Sequence, residues 1–136
     1  MNGTNFTHKA QEAILGAQSI AQDRGEPQVD VLHLLLSLIN QDDSVVLSLL
    51  RKLGVDIEGL NKKTENLLNR APKGNNPQVF GQLYLTQDMA QVLERARQES
   101  VKMKDEFISV EHLFLSLLHS KTKAKDILNN ASFLKS

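Results

Sequence analysis

The chain matches itself. Setting residues 7–39 against 86–118, an offset of 79, makes eight of 33 positions identical, among them Thr7/Thr86, His33/His112 and the Leu-Ser-Leu of 36–38 and 115–117. Further positions stay apolar in both copies: Ile14/Leu93, Val29/Ile108, Leu35/Phe114 and Ile39/Leu118. With one residue dropped from the next loop the match resumes, and Val46, Leu49, Leu50 and Leu53 face Ala124, Ile127, Leu128 and Ala131. Such an internal repeat requires one supersecondary unit used twice. Any fold assigned to the chain must satisfy both copies.

The unit is helical. Thr7 is an N-cap residue, and Ala10, Ala13, Ile14, Ala17 and Ala21 follow at 3-and-4 spacing, which makes one apolar face. Gly25 and Pro27 stop this helix. Asp30 caps a second helix over 31–40 whose HLLLSLI run is apolar nearly all round, so it is expected at the buried centre. A third runs over 44–53 and ends at Gly54, and a fourth spans 56–69. The stretch RAPKGNNPQ reads as a linker. The second copy repeats the plan: Thr86 caps a helix to about 103, Ser109 caps one to about 119, and a shorter helix covers 122–130. The expected class is all-α: two pseudo-symmetric four-helix repeats (about 6–69 and 86–136) joined by 70–85, with no room in 136 residues for the last helix of the second repeat.

Composition agrees. Leu occurs 22 times against five Phe, one Tyr and no Trp, a core suited to helices. Sixteen basic and 16 acidic residues cancel, which argues against a nucleic-acid surface, a helix-turn-helix DNA reader included, and against an anionic membrane. Cysteine is absent, so disulfides, thiolate zinc sites and cysteine nucleophiles are excluded. The polar start MNGTNFTHKA has no signal-peptide core, and the longest apolar run, near 34–39, is far short of a membrane span. A cytoplasmic location is expected.

The segments FTHKAQEAILGAQ (6–18), VDVLHLLLSL (29–38), LLRKLGVD (49–56) and FISVEHLFLSLL (107–118), in this order, resemble the N-terminal domain of Clp-type AAA+ unfoldases. The likeness is greatest to ClpB disaggregases, then to ClpC and ClpA. It implies a mobile module at the entrance of a hexameric ATPase ring, one that binds unfolded or aggregated polypeptide or an adaptor protein. The ATPase itself is not expected here: none of the seven glycines is followed by Lys, so there is no P-loop, and neither catalysis nor a cofactor is expected.

The resemblance also singles out residues. In ClpB-like domains a Thr opening the first helix, and an Asp and a Glu around the second-repeat FIS-x-EH motif, are tied to work on aggregates; these match Thr7, Asp105 and Glu111. In ClpC-like domains the Thr and the Glu of both repeats form phosphoarginine pockets. Here Thr86 remains, but Leu32 stands where a first-repeat Glu would be, which favours ClpB-like peptide capture.

Local chemistry offers simpler roles beside these. Thr7 and Thr86 are good N-caps, and Glu111 suits the positive end of its helix. His33 and His112 are read as satisfying nearby backbone groups rather than binding metal, and His112 and His119, seven apart, miss the i, i+4 spacing of a metal pair. Leu32 is expected to be exposed because its counterpart is charged. With Phe6, Phe80, Leu83, Tyr84 or Leu85 it would build an apolar groove for unfolded segments; core closure by the linker aromatics is the alternative. Two other functions stay open: a ClpC- or ClpA-type adaptor-docking or phosphoarginine-binding module, and a stand-alone regulator.

Overall fold

The computed structural model describes residues 5–70 and 84–129. Phe80, Leu83 and most of the expected linker lie outside the described residues. Four helices form the first unit: α1 (His8–Asp23), α2 (Val31–Ile39), α3 (Val45–Lys52) and α4 (Ile57–Arg70). Three follow in the second: α5 (Gln87–Lys102), α6 (Val110–His119) and α7 (Lys123–Asn129). The all-α reading holds, and the described residues end before any counterpart of α4.

Four of the caps are those read from the sequence, and Ser44 adds a fifth at the expected start of the third helix. Side chains of Thr7, Asp30, Ser44, Thr86 and Ser109 each accept a backbone N–H of the first helical turn. α1, α3 and α5 all stop with a left-handed residue after the C-cap: Gly25 at φ 70, Gly54 at φ 80, and Lys104 at φ 60. In α1 the N–H groups of Gly25 and Glu26 reach the carbonyls of Gln22 and Ala21, and in α5 those of Lys104 and Asp105 reach Val101 and Ser100. Both are Schellman stops, although glycine supplies the turn in only one of them.

α2 is the axis of the molecule. All nine of its residues are buried, and it packs on α1, α3 and α4 of its own unit and on α5, α6 and α7 of the other. The α1–α2 contact is close: a Cβ at Gly16 would collide with the Ser37 hydroxyl, which donates to the Ala13 carbonyl at 2.7 Å.

Two very short strands, which no periodicity in the sequence indicates, tie the units together. β1 (Gln28–Val29) pairs in parallel with β2 (Tyr84–Leu85), Val29 opposite Leu85. Phe6 forms a parallel bridge with Ile108. Residues 6 and 85 differ by 79, and so do 29 and 108. The segment before α1 is thus clasped by the second unit, and the segment before α5 by the first. The Thr7 N–H donates to the Ile108 carbonyl at 2.9 Å, and the Thr86 N–H donates to the Val29 carbonyl at 3.0 Å. The repeat seen in sequence is a reciprocal exchange in space.

Candidate functional site

Each unit builds the same small device where its first helix hands over to its second. The Schellman stop places an acid two residues past the C-cap: Glu26 in the first unit, Asp105 in the second. The third residue of the following helix is a histidine whose ring reaches back. His33 Nδ1 accepts the Asp30 N–H at 2.8 Å, and His112 Nδ1 accepts the Ser109 N–H at 2.9 Å. With Nδ1 accepting, the neutral ring carries its proton on Nε2 and donates it to the acid. His33 Nε2 lies 2.6 Å from Glu26 Oε1, and His112 Nε2 lies 2.9 Å from Asp105 Oδ2. The histidines are therefore capping-box members, with a carboxylate fixed on their far side.

The two devices differ in cover. Glu26 is only 11% exposed at its side chain, and Arg24 Nε lies 3.3 Å from it. Arg24 Nη2 in turn donates to Asn69 Oδ1 on α4 at 2.6 Å. Burial works to raise the Glu26 pKa, but the His33 hydrogen bond and the Arg24 charge outweigh it and hold the carboxyl below its ordinary value. Asp105 is 48% exposed and lines an open cleft of about 460 Å³. Glu111 lines it too, with Met103 and Phe107, whose side chains are 54% and 50% exposed.

Two of the residues expected from sequence meet here, and Thr7 lies beside them without lining the cleft. Asp105 and Glu111 share the cleft, and the bridge from Thr7 to Ile108 brings the first helix's cap to the loop between them. Thr86 sits at the equivalent place on the first unit. Its hydroxyl accepts the Met89 N–H and donates to Asp30 Oδ1 at 2.8 Å, so both functions are used internally. Tyr84 is half exposed but pairs with Gln28 beside the first unit and does not line the cleft.

Leu32 corrects the sequence reading. It is fully buried, not exposed, and cannot line a groove. A charged counterpart does not predict its environment, because every residue of α2 is buried among helices of both units whereas Glu111 of α6 is exposed. Sequence reasoning missed Met103 and Phe107 as the apolar part of the site. It also missed the histidine–acid pairing, although the same offset aligns Glu26 with Asp105. A larger open cleft, about 660 Å³, lies between α5 and the C-terminal end of α6. Most of its lining residues are polar or charged types, and its Glu94 is engaged by Arg97 at 2.6 Å. No described group of three or more His, Asp or Glu side chains is arranged to hold a metal ion, and no described helix is long and apolar enough to cross a membrane.

Comparison with known proteins agrees with this architecture. The family model described as the Clp repeat N-terminal domain matches residues 5–131. A chaperone protein ClpB from Bacillus cereus is 39% identical over 123 residues, covering 89% of this chain and 14% of the relative. A ClpB from Bacteroides thetaiotaomicron is 33% identical over 131 residues, covering 96% of this chain and 15% of the relative. The chain thus spans only about a seventh of the length of these curated relatives. Among solved structures, the Hsp104 N-terminal domain of Candida albicans superposes with a TM-score of 0.79 at 23% identity, covering 92% of this chain and 80% of that one. The N-terminal domain of the ClpV1 ATPase from E. coli gives 0.81 at 20% identity, covering 98% and 79%.

Proposed function

The chain belongs to the Clp repeat N-terminal domain family, and on that premise we propose that it is the substrate-recognition domain of a ClpB-like AAA+ disaggregase. It binds unfolded or aggregated polypeptide weakly and passes it to a hexameric ATPase ring in the cytoplasm. In this reading residues 6–69 and 86–136 are its two repeats, 70–85 joins them, and the domain itself is not catalytic.

The observation that supports this most is the second-unit cleft. It combines uncovered apolar side chains, Met103 and Phe107, with two carboxylates, Asp105 and Glu111. Unfolded segments offer apolar side chains that folded surfaces hide. A flexible Met and a half-exposed Phe accept many such partners without selecting one. The cleft is small and open, so little area is buried and binding stays weak. Weak capture suits a module that must release its cargo. A symmetric phosphoarginine reader is disfavoured, since the first unit has buried Leu32 where the second has Glu111.

Isothermal titration of the chain with one model protein, in native and in reduced, unfolded form, tests the reading. Binding of the unfolded form alone is expected. Binding of neither form, or equal binding of both, contradicts it.

A further inference from the structure

The first unit contains its own picture of a ligand. Arg24 and Met103 occupy equivalent positions, 79 apart, and both are helix C-caps with matching backbone: φ −87, ψ −2 for Arg24 and φ −87, ψ 2 for Met103. From that position Arg24 sets its guanidinium on the histidine-held carboxylate of Glu26, with Nε 3.3 Å from both oxygens. In the second unit the carboxylate is held the same way, by a histidine whose side chain is only 4% exposed. The residue that would supply the guanidinium is instead a methionine. Asp105 Oδ1 has no hydrogen-bond partner among the described residues, and the carboxylate faces the cleft.

We infer that the His112–Asp105 pair is a preset seat for an arginine side chain of the bound polypeptide, filled from within at Arg24 in the first unit and left for the ligand in the second. This rests on the recognition role proposed above and names the chemistry that role selects. The geometry around the seat suits arginine. Met103 and Phe107 offer apolar surface for its methylene stem, and the Phe107 ring can stack on a guanidinium. Glu111, on the same cleft, adds attraction for the cation. His112 is a positioning residue: it takes one carboxylate oxygen and so aims the other. The arginine is unmodified, because the cleft is lined by Asp105, Glu106 and Glu111 with no Lys or Arg among its lining residues to receive a phosphoryl group.

The test uses this 136-residue chain and three short unfolded peptides. One carries a single arginine between leucines, one has citrulline in its place, and one has phosphoarginine. The arginine peptide is expected to shift the NMR signals of Met103, Asp105, Phe107 and His112. It should bind about fivefold tighter than the uncharged citrulline twin, the range of one partly exposed ion pair. Met103→Arg should abolish that preference by filling the seat from within, as Arg24 does, with the melting temperature unchanged. Asp105→Asn, which keeps an acceptor for His112, should abolish it too. Equal binding of the arginine and citrulline peptides overturns the inference, as does a preference that survives both substitutions or tightest binding of phosphoarginine. If unfolded model protein still binds while the arginine preference is missing, the seat fails and the recognition role stands. If no unfolded polypeptide binds at all, both fail.

Discussion

The two units share a plan and differ in what covers it. In the first, the carboxylate set by the helix stop and the capping histidine is closed over by Arg24, and Arg24 is tied to Asn69 on α4. In the second, the same carboxylate opens on a cleft walled by Met103 and Phe107. In one copy the carboxylate is engaged within its own unit, and in the other it is half exposed. Duplication alone does not make two sites. Among the described residues, a single residue at the C-cap, Arg24 in one unit and Met103 in the other, decides whether the carboxylate is covered.

The largest expected difference lies at the position after the first helical residue of α2 and α6. Leu32→Glu places an unpaired carboxylate in the core and should cost about 3–5 kcal/mol in urea denaturation. The reverse exchange, Glu111→Leu, alters an exposed site and should move stability by no more than about 0.5 kcal/mol. Comparable losses would mean that the units are covered alike.

Removing the histidines sharpens the contrast. His33→Ala leaves the Asp30 N–H unpaired and takes one of its partners from the mostly buried Glu26, and about 2–3 kcal/mol of destabilisation is expected. His112→Ala should cost about 1 kcal/mol less, because water can reach the half-exposed Asp105. The helix stops offer a smaller comparison. Lys104→Gly relieves a left-handed lysine and should stabilise the chain by about 0.5–1 kcal/mol, visible as a higher melting temperature.

Acid provides the finest distinction. The folded-state pKa of Glu26 lies below its unfolded value. The stability it contributes is therefore complete above the ordinary glutamate value of 4.5 and is lost as pH falls through the lower folded value. Glu26→Gln should flatten the fall of the urea midpoint in that acid range. An unchanged slope would show that Arg24 and His33 do not hold the carboxylate ionised.

Most of the helical plan was legible because its signals are local. Thr7, Asp30, Ser44, Thr86 and Ser109 announce helix starts, and Gly25 and Gly54 announce stops, each within a few residues of the backbone groups it satisfies. The clasp was not legible. Two-residue strands have no periodicity, and their partners stand more than 50 residues away. Lys104 gave no turn signal, since a lysine in the left-handed region cannot be told from any other. Leu32 misled because exposure was read from its repeat partner, whereas α2 is buried along its whole length among helices of both units. Asp105 and Glu111 came from resemblance, and only their shared cleft with Met103 and Phe107 gives them a physical setting.

The claim that the second unit alone presents the site can be tested by mapping amide NMR shifts as unfolded model protein is added. The account predicts changes at Thr7, Met103, Asp105, Phe107 and Glu111, with Arg24, Glu26 and Gln28 unmoved. Equal changes in both units, or changes confined to the exposed Val45, Leu49 and Leu53 of α3 and its C-cap, would contradict it.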